Sequence, residues 1–160
     1  MSTYQRMKRL TPWRPQVKKG KDLLPLRQPQ FVGSPGWILL SHSPQGRAEA
    51  LFVDTHETVV PIPIVLDERL FSDTVLRVVR ISPSVFIACD IRYLNGVNLF
   101  EAKSFAERKS ILTELLAEFH APDLTALVLP DDAPHGALRR GVESYDDRPG
   151  TLGVFLPAME

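Results

Sequence analysis

Two neighbouring apolar runs constrain the fold of this chain more than any other feature of its sequence. The first is DTVLRVVRIS, the second is SVFIACDIRYLNG, and Pro83 stands between them. Both runs are rich in β-branched residues, and a proline between such runs indicates a turn. In the first run Val75 and Val79 fall on one face of a strand, whereas Leu76 and Val78 fall on the other. The sequence therefore predicts a pair of adjacent strands, the second of which ends at an Asn-Gly turn.

Three shorter apolar runs upstream predict further antiparallel strands. They are GWILLSH, RAEALFVDT and ETVVPIPIV, and turn residues separate them. The segment SPQGR, residues 43–47, predicts a hairpin between the first two runs. Pro61 and Pro63 each lack a backbone N–H, so the third run must lie at the edge of the sheet or end early.

The segment SFAERKSILTELLAEFH predicts the one long helix of the chain. Ser104 and Glu107 have the spacing of a capping box, and five apolar residues recur at helical spacing to form one buried stripe. The apolar residues are Ile111, Leu112, Leu115, Leu116 and Phe119. The charged residues lie mostly outside this stripe, and we expect most of them to form a solvated face. They are Glu107, Arg108, Lys109, Glu114 and Glu118.

Strands and helix are segregated along the chain rather than alternating. After Pro122, LTALVLP predicts a strand, a mixed segment rich in Asp, Arg and Gly follows, and TLGVFLP predicts a closing strand. A segregated order indicates an α+β domain built around an antiparallel sheet with one main helix. At 160 residues we expect a single domain over residues 36–160, preceded by an extended arm and connector over residues 1–35.

The arm is strongly basic although the whole chain has no net charge. Its basic residues are Arg6, Lys8, Arg9, Arg14, Lys18, Lys19 and Lys21, and the first 21 residues contain no acid. Such residues could neutralise RNA phosphates, with Tyr4 and Trp13 available to stack on bases. A solvated tail is the alternative. An organelle import segment is a third possibility, which the prolines and the weak helical periodicity disfavour.

Several other functions have no support in the sequence. The single cysteine excludes an internal disulfide framework and a multi-cysteine zinc site. The four histidines are not spaced as metal ligands, and no phosphate-binding glycine loop or GxSxG motif is present. We therefore expect no bound metal and no cofactor. No apolar run approaches the length of a membrane span, and no secretory signal is visible, which predicts an intracellular protein.

The segment CDIRYLNGVNLFEAKSFAERKSIL resembles one shared by messenger-RNA capping guanylyltransferases and ATP-dependent DNA and RNA ligases. In those proteins an apolar strand ends in Asp, an aromatic residue and Asn-Gly follow, and a helix opens with an xER turn. Upstream, DTVLRVVRI stands where that family has DTxLDGEL, and SPQGRAEALFVD stands where it has KxDGxRxxL. The resemblance covers residues 37–130 and implies a nucleotidyltransferase-like domain.

The departures from this family imply a domain without the activity. The lysine that forms a covalent adduct with the nucleotide corresponds to Ser43, whose hydroxyl cannot replace an activated amine. The family's Asp-Gly-Glu falls on Arg77, Val78 and Val79, so the glutamate is also missing. We therefore expect a pseudo-nucleotidyltransferase with no catalytic residues.

A non-catalytic branch of the same fold, the cap-binding domain of snurportin, is the most similar in type. The comparison extends over residues 37–157, from Trp37 with SPQGRAEALFV, through VFIACDIRYLNG, to LGVFLP. Arg47 retains a basic position of that branch, whereas its cap-stacking tryptophan corresponds to Ala137. That branch also has an N-terminal Leu-Ser-x-Trp motif. In this chain only LTPW, residues 10–13, could correspond to it, at a shifted spacing. The resemblance therefore implies nucleotide or RNA binding without implying recognition of a trimethylguanosine cap.

Three hypotheses follow. The first is a non-catalytic RNA- or nucleotide-binding domain of a ribonucleoprotein, and its predicted binding residues are Trp13, Ser43, Gly46, Arg47, Arg77 and Arg139. The second is a purely structural subunit of an assembly, in which the nucleotide cleft of the fold is closed and the basic arm anchors the subunit. Val78 and Val79, at the former acid positions, favour this hypothesis. The third is an enzyme that has moved its catalytic residues. The expected partners are RNA and other protein subunits, with no membrane, in the cytoplasm, the nucleus or an organelle.

Overall fold

The structure of this chain, a computed structural model, describes residues 2–11, 25–64 and 66–150. Within these ranges the chain forms nine strands and three α-helices. The strands are β1 (Pro25–Phe31), β2 (Ser34–His42), β3 (Ala48–Asp54), β4 (Val59–Pro61), β5 (Thr74–Ser82), β6 (Val85–Leu94), β7 (Val97–Asn98), β8 (Ala126–Val128) and β9 (Arg139–Asp146). The helices are α1 (Thr3–Met7), α2 (Leu99–Ala102) and α3 (Phe105–Phe119), with 3₁₀ turns at Lys8–Leu10, Glu68–Leu70 and Pro130–Asp132.

Seven of the strands form one sheet. Its order is β4-β3-β2-β5-β6-β7, and β8 pairs with the start of β6. Every pair is antiparallel except β6–β8, which is parallel. The coarse α+β class with a mainly antiparallel sheet is therefore confirmed, as are the strands predicted from the five runs upstream of Gly96. Strand β4 lies at the edge and ends at Pro61, which agrees with the missing N–H groups of its prolines.

Two tight turns form where the sequence predicts them. Between β2 and β3, Gly46 has a φ of 81°, and its N–H donates to the carbonyl of Ser43 at 2.8 Å. Between β6 and β7, Asn95 and Gly96 have φ angles of 47° and 81°, which is the left-handed pair of a tight hairpin turn. The Nδ2 of Asn95 also donates to the carbonyl of Arg69 at 2.7 Å, so this turn is tied to the loop before β5.

Helix α3 covers one face of the sheet. The Oγ of Ser104 accepts from the N–H of Glu107 at 3.2 Å, and the Glu107 carboxylate accepts from the N–H of Ser104 at 3.1 Å, which confirms the capping box. Leu112 and Leu115 are buried in a core shared with the sheet. The sheet residues of this core include Ile38, Leu40, Phe52, Leu76, Val78, Phe86 and Ile91. The apolar stripe of the helix therefore packs as predicted.

Arg108 differs from the solvated charged face expected on α3. Its side chain is fully buried, and its guanidinium pairs with the carboxylate of Asp90 on β6. The Nε donates to Oδ1 at 2.9 Å, Nη2 donates to Oδ2 at 3.1 Å, and Nη1 donates to the carbonyl of Lys103 at 2.9 Å. Arg108 precedes Leu112 by four residues, so it lies on the packed side of the helix. The prediction was wrong because a buried charge needs a partner of opposite charge. The partner of Arg108 is Asp90, which lies on β6, so the pattern of the helix alone could not show it.

A second sheet of two strands joins β1 to β9, antiparallel. Neither strand was predicted, because Pro25 and Pro29 interrupt β1 and the two strands lie at opposite ends of the chain. Proline is tolerated in a strand that is paired on one side only. In a two-stranded ribbon both strands are paired on one side only. The ribbon joins the rest of the domain through Asp147, whose carbonyl accepts from the N–H of Phe105 at 3.1 Å. The predicted strand TLGVFLP lies outside the described residues.

Replacing Arg108 with Met should lower the free energy of unfolding by about 3–5 kcal/mol, because Asp90 is left as an uncompensated buried charge. Urea denaturation measures the change. The neighbouring substitution Lys109→Met is the control and should change stability by less than about 0.5 kcal/mol. The double variant Asp90→Leu/Arg108→Met should recover part of the loss. A decrease of less than about 1 kcal/mol in Arg108→Met would show that the pair is not a stabilising contact.

His120, which follows α3, predicts a loss of stability in mild acid. Burial lowers the pKa of His120 and outweighs a backbone hydrogen bond to Thr125 that raises it. Because the pKa is lower in the folded state, the contribution to stability is fully present above pH 6.5 and is lost as the pH falls towards the lowered pKa. Denaturation at pH 7.5 and pH 5 should therefore show a larger decrease for the wild type than for His120→Gln. An equal decrease in the two proteins would contradict this prediction.

Candidate functional site

The β2–β3 turn contains three of the residues that the sequence assigns to nucleotide or RNA binding. Ser43 is buried, and its Oγ accepts from the backbone N–H of Arg47 at 3.1 Å. The N–H of Ser43 donates to the carbonyl of Arg47 at 2.7 Å, and Gly46 takes the left-handed position between them. Ser43 therefore closes the hairpin, while Arg47 is exposed to solvent.

The other predicted binding residues that the structure describes, Arg77 and Arg139, do not join this turn. Arg77 lies opposite Trp37 in the β2–β5 register, and the six residues from Trp37 to Ser43 span about 20 Å of extended strand. Arg139 lies on the β1–β9 ribbon, with its guanidinium carbon 5.9 Å from the ring centre of Phe31. The predicted residues outside the described ranges are Trp13, Arg14, Lys18, Lys19 and Lys21. The described members of the predicted set are therefore spread over the domain and do not form one site.

Residues 3–10 are helical and pack on the second face of the sheet, which differs from the predicted extended arm. Ser2 and Gln5 form a capping box at the start of α1. Met7 is fully buried, and Leu10 is 7% exposed. They pack in one cluster with Trp37, Leu39, Leu51, Val53 and Val75. This apolar face comes from β2, β3 and β5, so the N-terminal sequence alone could not show that the helix would be stabilised.

Polar contacts also hold α1 against the sheet. Nη1 of Arg6 donates to both carboxylate oxygens of Asp73 at 3.0 Å, and Nη2 contacts Oγ of Ser41. The Ser41 hydroxyl donates to Asp73 at 2.5 Å, and the Thr3 hydroxyl donates to Glu49 at 2.7 Å. Arg6, one of the predicted RNA-backbone residues, is therefore paired with an acid of its own domain.

A pocket of about 400 Å³ lies between this N-terminal helix and the turn that joins β3 to β4. Its lining residues are Tyr4, Lys8, Thr11, Trp37, Val53, Asp54, Thr55, His56 and Glu57. Tyr4, Lys8 and Thr11 come from the helical segment, whereas the others come from the sheet and its turn. The volume is in the range of small-molecule sites, about 300–1,000 Å³. The pocket is therefore the candidate functional site, and it lies near the opposite end of β2 from Ser43.

Glu57 connects the two walls of the pocket. The Tyr4 hydroxyl donates to Oε1 of Glu57 at 2.8 Å, and Nζ of Lys8 lies 3.0 Å from the same oxygen. Burial, followed by the contact with Glu57, raises the pKa of Tyr4 to about 12. The hydrogen bond from Tyr4, followed by that from Lys8, lowers the pKa of Glu57. At neutral pH the network therefore consists of a neutral phenol, an ammonium group and a carboxylate.

Two carboxylates at the pocket each keep one oxygen that makes no hydrogen bond to the described residues. Oδ1 of Asp54 accepts from the backbone N–H groups of His56 and Thr58 at 2.8 and 2.9 Å, which leaves Oδ2 open. Oε1 of Glu57 accepts from Tyr4 and Lys8, which leaves Oε2 open. Among the lining residues Asp54 and Glu57 are the two acids, and Lys8 is the one lysine or arginine. The pocket therefore offers mainly hydrogen-bond acceptors.

Within residues 2–11, 25–64 and 66–150, no group of three or more His, Cys, Asp or Glu side chains could hold a metal ion. None of the helices in these ranges is both long and apolar enough to cross a membrane.

No family model matches this chain, and no curated protein matches it either. The resemblance to capping enzymes, ligases and snurportin therefore stays a prediction from the motifs.

Only part of the pocket lining was predicted from the sequence. Tyr4 was expected to stack on a base and Lys8 to contact phosphate, and both line the pocket. Asp54, His56 and Glu57 were missed. The available signal was the polar turn DTHET directly after an apolar strand. That signal is weak, because most polar turns are only solvated, and nothing local shows that the N-terminal helix packs beside this one.

Substituting Met7 with Ala should release the N-terminal helix from the sheet. A buried methionine contributes about 2–5 kcal/mol, whereas each partly exposed ion pair of the helix contributes about 0–1 kcal/mol. Amide hydrogen exchange should therefore accelerate over residues 3–10 while β5 and β6 stay protected. Arg9→Ala, on the same helical segment but exposed, should leave the exchange rates unchanged. Unaltered protection in Met7→Ala would contradict this account of the docking.

Proposed function

We propose that this chain is a non-catalytic domain that binds RNA or a nucleotide as part of a ribonucleoprotein. The observation that carries the proposal is the pocket of about 400 Å³ lined by Tyr4, Trp37 and Lys8. Proteins bind single-stranded RNA largely through bases that stack on aromatic rings and form hydrogen bonds along their edges. The pocket combines the partly exposed ring of Tyr4, hydrogen-bonding groups and one ammonium group within one concave surface, with Trp37 buried beneath it.

Cations near the pocket favour RNA over an isolated base. Lys8 uses one of its three N–H donors for Glu57, and Arg9 is exposed next to it. Thr11 lines the pocket, and the sequence continues from there with four more basic residues. They are Arg14, Lys18, Lys19 and Lys21. Among the described cations, Lys8 and Arg9 are the ones placed to meet phosphates on either side of a bound base, and such contacts are how non-specific affinity for nucleic acid arises.

The state of Ser43 supports binding without covalent chemistry. In the family that the motifs resemble, this position holds the lysine that attacks the nucleotide. Ser43 is buried, and its hydroxyl accepts from the backbone of Arg47. A serine hydroxyl held in a turn is a poor nucleophile without an activating base. Val79, at the position of the family's glutamate, cannot contact a ribose or a metal through a charge.

A structural subunit is the second candidate, and the docking of the N-terminal helix favours it. This helix covers the apolar face formed by β2, β3 and β5. Arg6 and Lys8 pair with Asp73 and Glu57, so two of the arm's cations are already neutralised within the domain. In this case the contacts of α1 would serve packing alone, and the rest of the basic arm would anchor the subunit to its assembly.

The full chain should bind single-stranded RNA with an affinity that falls as salt increases. Replacing Lys18, Lys19 and Lys21 together with Ala should decrease the slope of log K against log salt by about 2, because each phosphate contact on a single strand contributes about 0.7. Fluorescence anisotropy at four salt concentrations measures the slope. The control is Lys103→Ala/Lys109→Ala at the other face of the domain, which should leave the slope unchanged.

Other outcomes separate the candidates. If the full chain binds neither RNA nor a nucleotide at low salt, the binding function is wrong and the structural subunit is favoured. Incubation with labelled ATP or GTP and a divalent cation should give no covalent adduct. An adduct that survives denaturation would contradict the non-catalytic assignment.

A further inference from the structure

Three acids flank the apolar face that the N-terminal helix covers. Glu49 lies on β3, Glu57 in the turn after β3, and Asp73 just before β5. Because β2 lies between β3 and β5, the acids stand on both sides of this face. Each acid binds the helical segment 2–11, in the contacts Thr3–Glu49 (2.7 Å), Tyr4–Glu57 (2.8 Å), Lys8–Glu57 (3.0 Å) and Arg6–Asp73 (3.0 Å). The face and its acids, here called the acidic groove, therefore complement a short basic helix in both shape and charge.

The helical segment 2–11 is held in the acidic groove by few contacts. Isolated helices shorter than about 12–15 residues are marginal in water, so the segment depends on docking for its structure. Met7 and Leu10 are its buried apolar side chains. The side chains of its two ion pairs are 32–59% exposed, and ion pairs at the surface contribute little to stability. Release of this terminal segment therefore requires less free energy than unfolding of the sheet.

The connection between the segment and β1 is long enough to reach a neighbouring molecule. It consists of residues 12–24, and a stretch of this length can span at most about 45 Å. A compact chain of 160 residues has a radius of gyration of about 15 Å. A released segment can therefore dock on its own sheet or on the sheet of a second copy.

We infer that two copies of this chain exchange their N-terminal helices, so that segment 2–11 of each copy docks in the acidic groove of the other. Every copy has both the basic helix and the groove, so one exchange fills both grooves and closes with two-fold symmetry. The contacts are the same within one copy and between two, so concentration decides between them. A tethered segment has an effective concentration in the mM range, and neighbouring copies in an assembly reach such values.

Exchange makes the candidate pocket a site shared by two copies. Tyr4 and Lys8 come from one copy, whereas Asp54 and Glu57 come from the other. The network in which Glu57 accepts from Tyr4 and Lys8 then joins two molecules instead of two parts of one. The exchange does not depend on which of the two candidate functions is right.

Cysteine cross-linking between two variants of the full chain tests the exchange. Thr3→Cys and Glu49→Cys place thiols at the two ends of one contact between helix and groove, and Cys89→Ser in every variant removes the one native thiol. With a short bifunctional thiol reagent, an equimolar mixture at about 1 mM should give a covalent dimer that links positions 3 and 49. Dilution to about 10 µM should lower its yield at least tenfold, because docking within one copy then dominates.

The matched control carries Thr3→Cys and Glu49→Cys on one chain. It should cross-link within that chain at low concentration, and failure to do so would contradict the docking and overturn the inference. Met7→Ala, added to the Thr3→Cys chain, should abolish the dimer, whereas Arg9→Ala, which changes an exposed residue of the same segment, should keep it.

Sedimentation equilibrium of the unsubstituted chain should show a mean mass that rises towards the dimer as the concentration approaches about 1 mM. A dimer that persists in Met7→Ala would overturn the inference, because another surface then joins the copies. So would the absence of a link between positions 3 and 49 in the concentrated mixture, including the case in which the groove accepts the helix of a different protein.

Discussion

Asp90 and Arg108 bring two opposite charges into a region where their side chains are 5% and 0% exposed. Such a pair is tolerated only when nearly every donor and acceptor is satisfied. Two donors of Arg108 reach Asp90, Nη1 reaches the carbonyls of Lys103 and Phe100 at 2.9 and 3.4 Å, and Oδ1 of Asp90 also accepts the N–H of Ile91 at 2.8 Å. These bonds form only when α2, the start of α3 and the middle of β6 have one position relative to each other. They therefore determine where the main helix lies on the sheet.

The two-faced sheet follows from that placement. Once α3 covers one face, alternation along β2 and β5 sends Ile38 and Leu76 towards it and Trp37 and Val75 away from it. The second face then needs a cover of its own, and residues 3–10 provide it through Met7. The pocket lies at the border of this cover, where β3 ends at Asp54 and polar side chains collect beside buried aromatic rings.

The segment that resembles nucleotidyltransferases has a packing role in this chain. Its aspartate is Asp90, which lies in the middle of β6, and the arginine of its xER turn is Arg108, so the two recognisable charges bind each other. Similarity in this segment therefore concerns how a helix is held on a sheet. The candidate pocket is built from other residues, near the opposite end of β2 from Ser43, and a function there would not depend on the missing lysine.

Patterns within short stretches of the sequence predict the local structure of this protein. The five runs of the main sheet, the turns at Gly46 and Asn95, and the capped helix at Ser104 each depend on residues within a few positions of one another, so their patterns are readable. Tertiary structure alone decided the burial of Arg108, the pairing of β1 with β9, and the packing of the N-terminal helix. The pocket belongs to this second group, because Tyr4, Trp37 and Glu57 come together only when a helix and a strand turn from distant parts of the chain meet on one face of the sheet. Each of these features needs a partner remote in sequence, and a local pattern carries no information about which remote surface will cover it.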